Sequence, residues 1–176
     1  MRIGVDVDNT ITNTFEYLLE LKKKYNNDLV DDYHNWDTDT RNAFLEKYLK
    51  EIWENCTVKE NCKNVIDKLR NDGHKIIIAS YRQNIYGINS LELLKTYLKK
   101  NNIVFDEIYT GITKKGEFCK KHLIDLYIDD KLENLKDINS NSIDVIQFYN
   151  PFEKVGKYTV VKSWDELYQM VKGNDN

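Results

Sequence analysis

Arginine is scarce in this 176-residue chain: only Arg2, Arg41, Arg70 and Arg82 carry a guanidinium, so most of the positive charge is lysine. Each arginine is therefore worth locating, because its rigid fork recognises anions in a way an ammonium does not. Basic charge as a whole is also short. The 26 Lys and Arg against 29 Asp and Glu leave a formal charge of −3 and a pI near 5.7, which gives no general electrostatic reason to coat a phosphate polymer and argues against nucleic acid as the partner. The three cysteines, Cys56, Cys62 and Cys119, make neither a CxxC nor an even disulfide set. No charged start followed by an apolar run precedes the first motif, so the expectation is reduced thiols in a cytoplasmic protein. His34, His74 and His122 are scattered, which argues against zinc and makes them surface residues by default. No apolar run approaches the roughly 18 residues a membrane span needs.

What is present suits one soluble domain with room for a small insertion. Hydrophobic residues are 41% and aromatic residues 12%, enough for a sizeable core, and the 31% of charged residues can cover it. There is no internal repeat and no low-complexity linker.

Arg2 to Val7 is a β-branched run ending in acids, so it reads as a buried strand that delivers Asp6 and Asp8 at its tip. A helix follows from Asn13 to about Tyr25, with Phe15, Leu18 and Leu19 on one face and a solvated Lys22-Lys23-Lys24 on the other. After a polar stretch containing Tyr33 and Trp36, a second helical pattern runs through Phe44, Leu45, Tyr48, Leu49, Ile52 and Trp53. Together these form a small helical insertion.

Helix and strand then alternate. Helices are expected near Lys59–Asn71, Asn89–Lys100, Lys115–His122 and Leu132–Ile138. Strands are expected at Lys75–Ala79, Val104–Tyr109, Leu126–Ile128 and Ile143–Phe148, with Tyr158–Val161 as an edge. A last helix is expected after Ser163 on Trp164, Leu167 and Met170, with Glu166 completing the cap. The rhythm predicts an α/β fold, a Rossmann-like parallel sheet with helices on both faces. Residues 1–13 and 58–173 are expected to form the core, 14–57 a small helical cap inserted after the first strand, and 174–176 a frayed tail.

In such a sheet function gathers beyond the carboxyl ends of the strands. Those ends offer Asp6 and Asp8, then Ser80 and Arg82, then Lys114 or Lys115, then Asp129 and Asp130. Several carboxylates at one place repel each other and require a cation, and an all-oxygen donor set points to Mg²⁺. A hydroxyl, an ammonium and a guanidinium beside it would cradle a phosphoryl group. Strand alternation turns Asp6 and Asp8 to the same side, so that one carboxylate attacks phosphorus while the other handles the proton of the leaving oxygen.

Asp6-Val7-Asp8-Asn9-Thr10, then Ser80, then a lysine heading a helix, then Ile128-Asp129-Asp130 resembles, in order, the four motifs of the haloacid-dehalogenase-like (HAD) phosphohydrolases, over nearly the whole chain. The resemblance implies Asp6 as nucleophile, Asp8 as general acid and then base, Ser80 and Lys115 as phosphate ligands, and Mg²⁺ held by Asp6, the Asp8 carbonyl and Asp130; Arg82, by its place at a strand tip, is either a further phosphate contact or a solvated loop arginine. Asp129 would reach the metal directly or through water. The inserted helices, Ser80-Tyr81-Arg82 and Ser163-Trp164-Asp165 are similar to the 5'(3')-deoxyribonucleotidase group. That resemblance implies a Mg²⁺-dependent phosphomonoesterase acting on a nucleoside monophosphate through an aspartyl-phosphate.

The alternative keeps the chemistry and takes a sugar phosphate or another small phosphomonoester. A receiver domain would carry its phosphoacceptor on a middle strand and lack the insertion, and a purely binding relative would not need the second aspartate. Phe15, Tyr33 and Trp36 either stack on a base or pack the cap against the core, and a homodimer covering the site is left open.

Overall fold

The computed structural model describes residues 1–174. Six strands, β1 Arg2–Val5, β2 Lys75–Ala79, β3 Glu107–Tyr109, β4 Leu126–Asp129, β5 Asp144–Phe148 and β6 Thr159–Val161, form one sheet in the order β3-β2-β1-β4-β5-β6, every pairing parallel. The helices are α1 Thr14–Tyr25, α2 Thr38–Asn55, α3 Cys62–Asn71, α4 Ser90–Lys100, α5 Lys115–Lys121, α6 Leu132–Ser140 and α7 Trp164–Asn174. The order reverses direction at β1, so the crevice beyond the carboxyl ends of β1 and β4 is the switch point at which such sheets bind ligands.

Strand alternation divides the core in two. Ile76 and Ile78 of β2 pack with Val65, Ile66 and Leu69 of α3, Leu94 and Leu98 of α4 and Leu167 and Val171 of α7. Their neighbours Ile77 and Ala79 turn to the other face, with Phe118 and Cys119 of α5 and Ile138 of α6. This is the period-two signature of a strand covered on both sides, which is why the strands read as nearly continuous apolar runs.

A third cluster belongs to the inserted segment, where Leu18 and Leu21 of α1 pack with Trp36 and with Phe44, Ile52 and Trp53 of α2. The threads entering and leaving this segment are tied together. Asn13 N–H donates to the Thr57 carbonyl (2.8 Å) and Lys59 N–H to that of Ile11 (2.8 Å), beside a Thr12–Val58 bridge. That pairing holds residues 57–59 extended, and Asn61 then takes a left-handed φ of 57°, so α3 begins at Cys62 and not near Lys59.

Other boundaries and burials also differ from expectation. β3 has three residues rather than six, because Asp106 is engaged with the start of β2: its N–H donates to the Ile76 carbonyl and its carboxylate accepts the Ile76 N–H. Helix α7 continues through Asn174, so the expected tail begins later, and residues 175–176 lie outside the described residues. On α7 it is Val171 that is buried, while Met170 is exposed. Lys22, expected on a solvated face, is buried because its ammonium reaches back to the Asn27 carbonyl and to Asp31 (3.1 Å). His74 is buried as well, its Nδ1 lying 3.2 Å from the Met1 amine.

Candidate active site

Regular β1 ends at Val5, but Asp6 N–H still donates to the Ile128 carbonyl (2.9 Å), holding Asp6 against β4. The chain then turns sharply. The Val7 carbonyl accepts from the N–H groups of Thr10, Ile11 and Thr12, and Asn9 adopts φ 59°, a left-handed conformation that asparagine tolerates better than most residues. Val7 is fully buried in the core. Asp6 and Asp8, one residue to either side of it, line a cavity of about 590 Å³.

The same cavity is lined by Arg82 from the loop after β2, Lys115 from the first turn of α5, and Asp130 just beyond β4. Lys115 is brought in by a close approach of α5 to α6: a side chain at Gly116 would meet the Asp137 carbonyl oxygen at 2.6 Å, and the Gly116 N–H donates to the Asp137 carboxylate (2.8 Å). Buried at the centre, the Lys115 ammonium donates to Asp6 Oδ1 (2.5 Å) and Asp129 Oδ2 (2.5 Å). Ser80 is wholly buried behind the cavity wall, its hydroxyl oxygen accepting the Arg82 N–H (3.2 Å). Lys114 is exposed and paired with Glu117.

Asp6, Asp129 and Asp130 each present an oxygen within 4.8 Å of the others. Asp129 is already occupied by Lys115, by the Lys131 N–H and by Asn134 Nδ2, whereas Asp130 has one oxygen held by Asn150 Nδ2 (2.7 Å). The cluster is under electrostatic load. Burial pushes the Asp6 carboxyl up to about 7 against the pull of Lys115, with Asp129 and Asp8 adding to the rise. Burial, then the charges of Asp129 and Asp6, carries Asp130 well above the usual carboxylate range. Burial would raise Asp8 too, but the Arg82 guanidinium and a hydrogen bond from Thr14 hold it below that range.

Asp6 and Asp129 share Lys115 and Asp8 pairs with Arg82, so the four carboxylates exceed their paired cations by two negative charges when fully ionised, and Lys131 and Glu153, also in the cavity wall, offset each other. One divalent cation would match them, and the donor set is all hard oxygen.

Without a divalent cation the native state therefore holds protons on Asp6 and Asp130 that the unfolded chain releases near pH 4. For Asp6, raised to about 7, stability then falls as pH rises through the window from about 4 to 7, by at most about 1.4 kcal/mol per pH unit, and the raised Asp130 adds a loss of the same sign. Thermal unfolding in chelator is expected to give a lower Tm at pH 8 than at pH 5. Millimolar Mg²⁺ should raise the pH 8 value most, and a Tm at pH 8 indifferent to Mg²⁺ would contradict a cation site here.

Of the expected aromatic residues, Phe15 and Tyr33 line the cavity, and Trp36 does not. Its indole N–H donates to the Val30 carbonyl (2.7 Å) and its ring packs edge-on to Phe44 at 5.2 Å. Phe152, after β5, joins the wall instead, with its ring centroid 4.0 Å from that of Phe15. Nothing in the sequence places Phe152, Asn134, Asn150 or Thr14 at the site, and Trp53 is marked there only as an apolar position of the second inserted helix. A lone polar or aromatic residue, whether in a loop like Asn150 and Phe152 or on a helix like Thr14, Trp53 and Asn134, carries no spacing signal, and only the fold brings these residues to the strand ends.

The fold and the strand-end constellation define a HAD-like phosphoric monoester hydrolase. More particularly, the model of the cytosolic type C 5' nucleotidase, deoxy (pyrimidine) family, NT5C, matches residues 1–174, and the chain belongs to that family. It is 23% identical over 187 residues to a nucleotidase of Clostridium acetobutylicum, spanning 97% of this chain and 93% of that protein. Among solved structures it is similar to a HAD family hydrolase from Deinococcus radiodurans with bound phosphate and sodium, at TM-score 0.72 and 12% identity over 99% of this chain and 96% of that one. A predicted phosphatase from Clostridium acetobutylicum gives TM-score 0.71 and 15% identity, with 98% of each chain covered.

Proposed function

We propose that the chain is a Mg²⁺-dependent 5'-nucleotidase that hydrolyses (deoxy)nucleoside monophosphates through a phosphorylated Asp6. The single observation that carries this reading is the Asp6–Lys115–Asp129 cluster opening, beside Asp8 and Asp130, into a cavity of about 590 Å³ walled by Phe15, Tyr33 and Phe152. That volume is in the range of small-ligand sites. Membership of the 5' nucleotidase family and the similarity to a Clostridium nucleotidase support the nucleotide reading.

Asp6 and Asp130 are the carboxylates with oxygens left to hold Mg²⁺, with the Asp8 carbonyl as the third protein ligand. When bound, the ion would neutralise charge on the phosphoryl oxygens. An Asp6 oxygen bonds to phosphorus as the ester bond breaks, and the departing oxygen takes a proton from Asp8, which must first acquire it from solvent because the Arg82 pair keeps the resting Asp8 ionised. In the second half Asp8 takes a proton from water, whose oxygen bonds to phosphorus while the bond to Asp6 breaks and Asp6 leaves as a carboxylate. Lys115 holds Asp6 in place and offsets its charge, while Ser80, buried behind the cavity wall, accepts the Arg82 N–H and would have to turn its hydroxyl outward to meet the phosphate. Residues 14–57 serve as the cap, and the aromatic wall accepts the base. Three unpaired, buried cysteines suit a reducing cytoplasm.

Catalytic efficiencies on a panel of nucleoside monophosphates and hexose phosphates, each with Mg²⁺ and with chelator, test the reading. Chelator-sensitive activity highest on a nucleotide is expected. A preference for hexose phosphates would transfer the chemistry to the alternative substrate class.

A further inference from the structure

Arg82 is buried although it carries a charge, and its three guanidinium nitrogens are differently employed. Nε donates to Asp8 Oδ2 (3.0 Å) and Nη2 to Asp8 Oδ1 (2.7 Å), while Nη1 is buried with no hydrogen-bond partner among the described residues. The guanidinium carbon lies 4.9 Å from the ring centroid of Trp53, on α2 of the inserted segment. Thr14, the first residue of α1, donates from Oγ1 to the same Asp8 Oδ1 (2.7 Å). Asp8 is thus gripped at both oxygens. One grip comes from the loop after β2 and the other from an inserted helix, and a tryptophan from the second inserted helix lies over the guanidinium.

We infer that Arg82 is a positioning residue for Asp8: clamped under Trp53, its fork sets the plane and reach of the Asp8 carboxylate, and it does not contact the phosphoryl group. This rests on the phosphatase reading above and adds a route by which the cap reaches the acid/base, from Trp53 through Arg82 to Asp8. The geometry supports it because the two nitrogens that bond are both spent on Asp8, and the third is buried with no hydrogen-bond partner among the described residues. A lysine could supply the charge at this position but not the planar two-point grip.

The two roles separate by leaving group. In the first half-reaction an alkoxide needs the Asp8 proton as the ester bond breaks, whereas p-nitrophenolate departs without one. Because kcat/KM reports steps up to phosphorylation of Asp6, Arg82→Gln should lower it by about 10²-fold for a nucleoside 5'-monophosphate. For p-nitrophenyl phosphate it should change by less than about threefold, which is within the scatter of independent effects. Arg82→Lys should behave like Arg82→Gln, and Trp53→Phe should show the same selective loss in milder form. Inhibition by inorganic phosphate should be unchanged in all three, and Arg82→Gln should add little in an Asp8→Asn background.

Equal losses on both esters, or markedly weakened phosphate inhibition, would overturn the inference in favour of a phosphate ligand. Should Arg82→Gln fail to fold, as judged by circular dichroism, the leaving-group ratio in Trp53→Phe decides in the same way. A wild-type enzyme that hydrolyses neither ester with Mg²⁺ would instead defeat the phosphatase reading, and this inference with it.

Discussion

Asp6→Asn is expected to lower kcat by at least about 10³-fold on every phosphomonoester, because the amide cannot form the covalent bond that splits the reaction into two steps. The same change should not unfold the protein. Asp6 sits in a cluster with excess negative charge, its carboxyl pushed up to about 7, chiefly by burial, so an uncharged isostere relieves repulsion while Lys115 keeps Asp129 as a partner. In chelator at pH 8 the variant should melt at or above the wild-type temperature, the pattern of a group retained for function at a cost in stability. Substantial residual turnover would remove Asp6 from the role of nucleophile. A large fall in Tm would mean that the carboxylate is structural.

Lys115→Met is expected to do the opposite. Methionine has nearly the length of lysine and fills the same space, but it leaves Asp6 and Asp129 buried without their shared cation. Breaking a buried pair by removing one partner costs about 3–5 kcal/mol. The cost should be greatest near pH 8. By pH 5 it should shrink, since Asp6 and Asp130, both raised by burial, will already have taken up protons. Urea unfolding at the two pH values measures the difference, and a pH-independent loss would point to packing and not charge. Turnover should fall together with stability, which distinguishes Lys115→Met from Asp6→Asn.

The two variants also illustrate how far the sequence could be read. The parallel sheet was legible because β2 and β4 are apolar on both faces and end abruptly in Ser80 and in Asp129-Asp130, and such a pattern has few other solutions. The charged groups of the site were legible for a related reason: carboxylates at the end of a buried strand are costly, so finding them there is informative. What could not be read was the connection between those groups. That Arg82 lies on Asp8, that Trp53 covers it, and that Asn150 holds Asp130 depend on loops crossing above the sheet, and no periodicity constrains a loop. The aromatic residues failed for a different reason. Trp36 and Phe152 have similar side chains, and only the path of the chain turns one into the packing of the inserted helices and the other toward the ligand cavity. Helix ends slipped where the backbone made local choices, as at Asn61, whose left-handed φ delays α3.

The position of β1 in the middle of the sheet also bears on how the chain assembles. Arg2 pairs with Lys75 of β2 and Ile3 with Leu126 of β4, so the strand carrying Asp6 has no local partner and must wait for segments far along the chain. The helical hairpin of α1 and α2 draws most of its core from residues 17–53, with Ile88 and Leu93 packed against it from farther along the chain. Closing long loops before any contact rewards them slows folding, so the cleft that holds Asp6, Lys115 and Asp130 depends on the entropically costly pairings of the sheet. With β1 unpaired, Ile3, Val5 and Val7, all fully buried in the native state, would face solvent, and exposed strand edges of that kind are what drives aggregation.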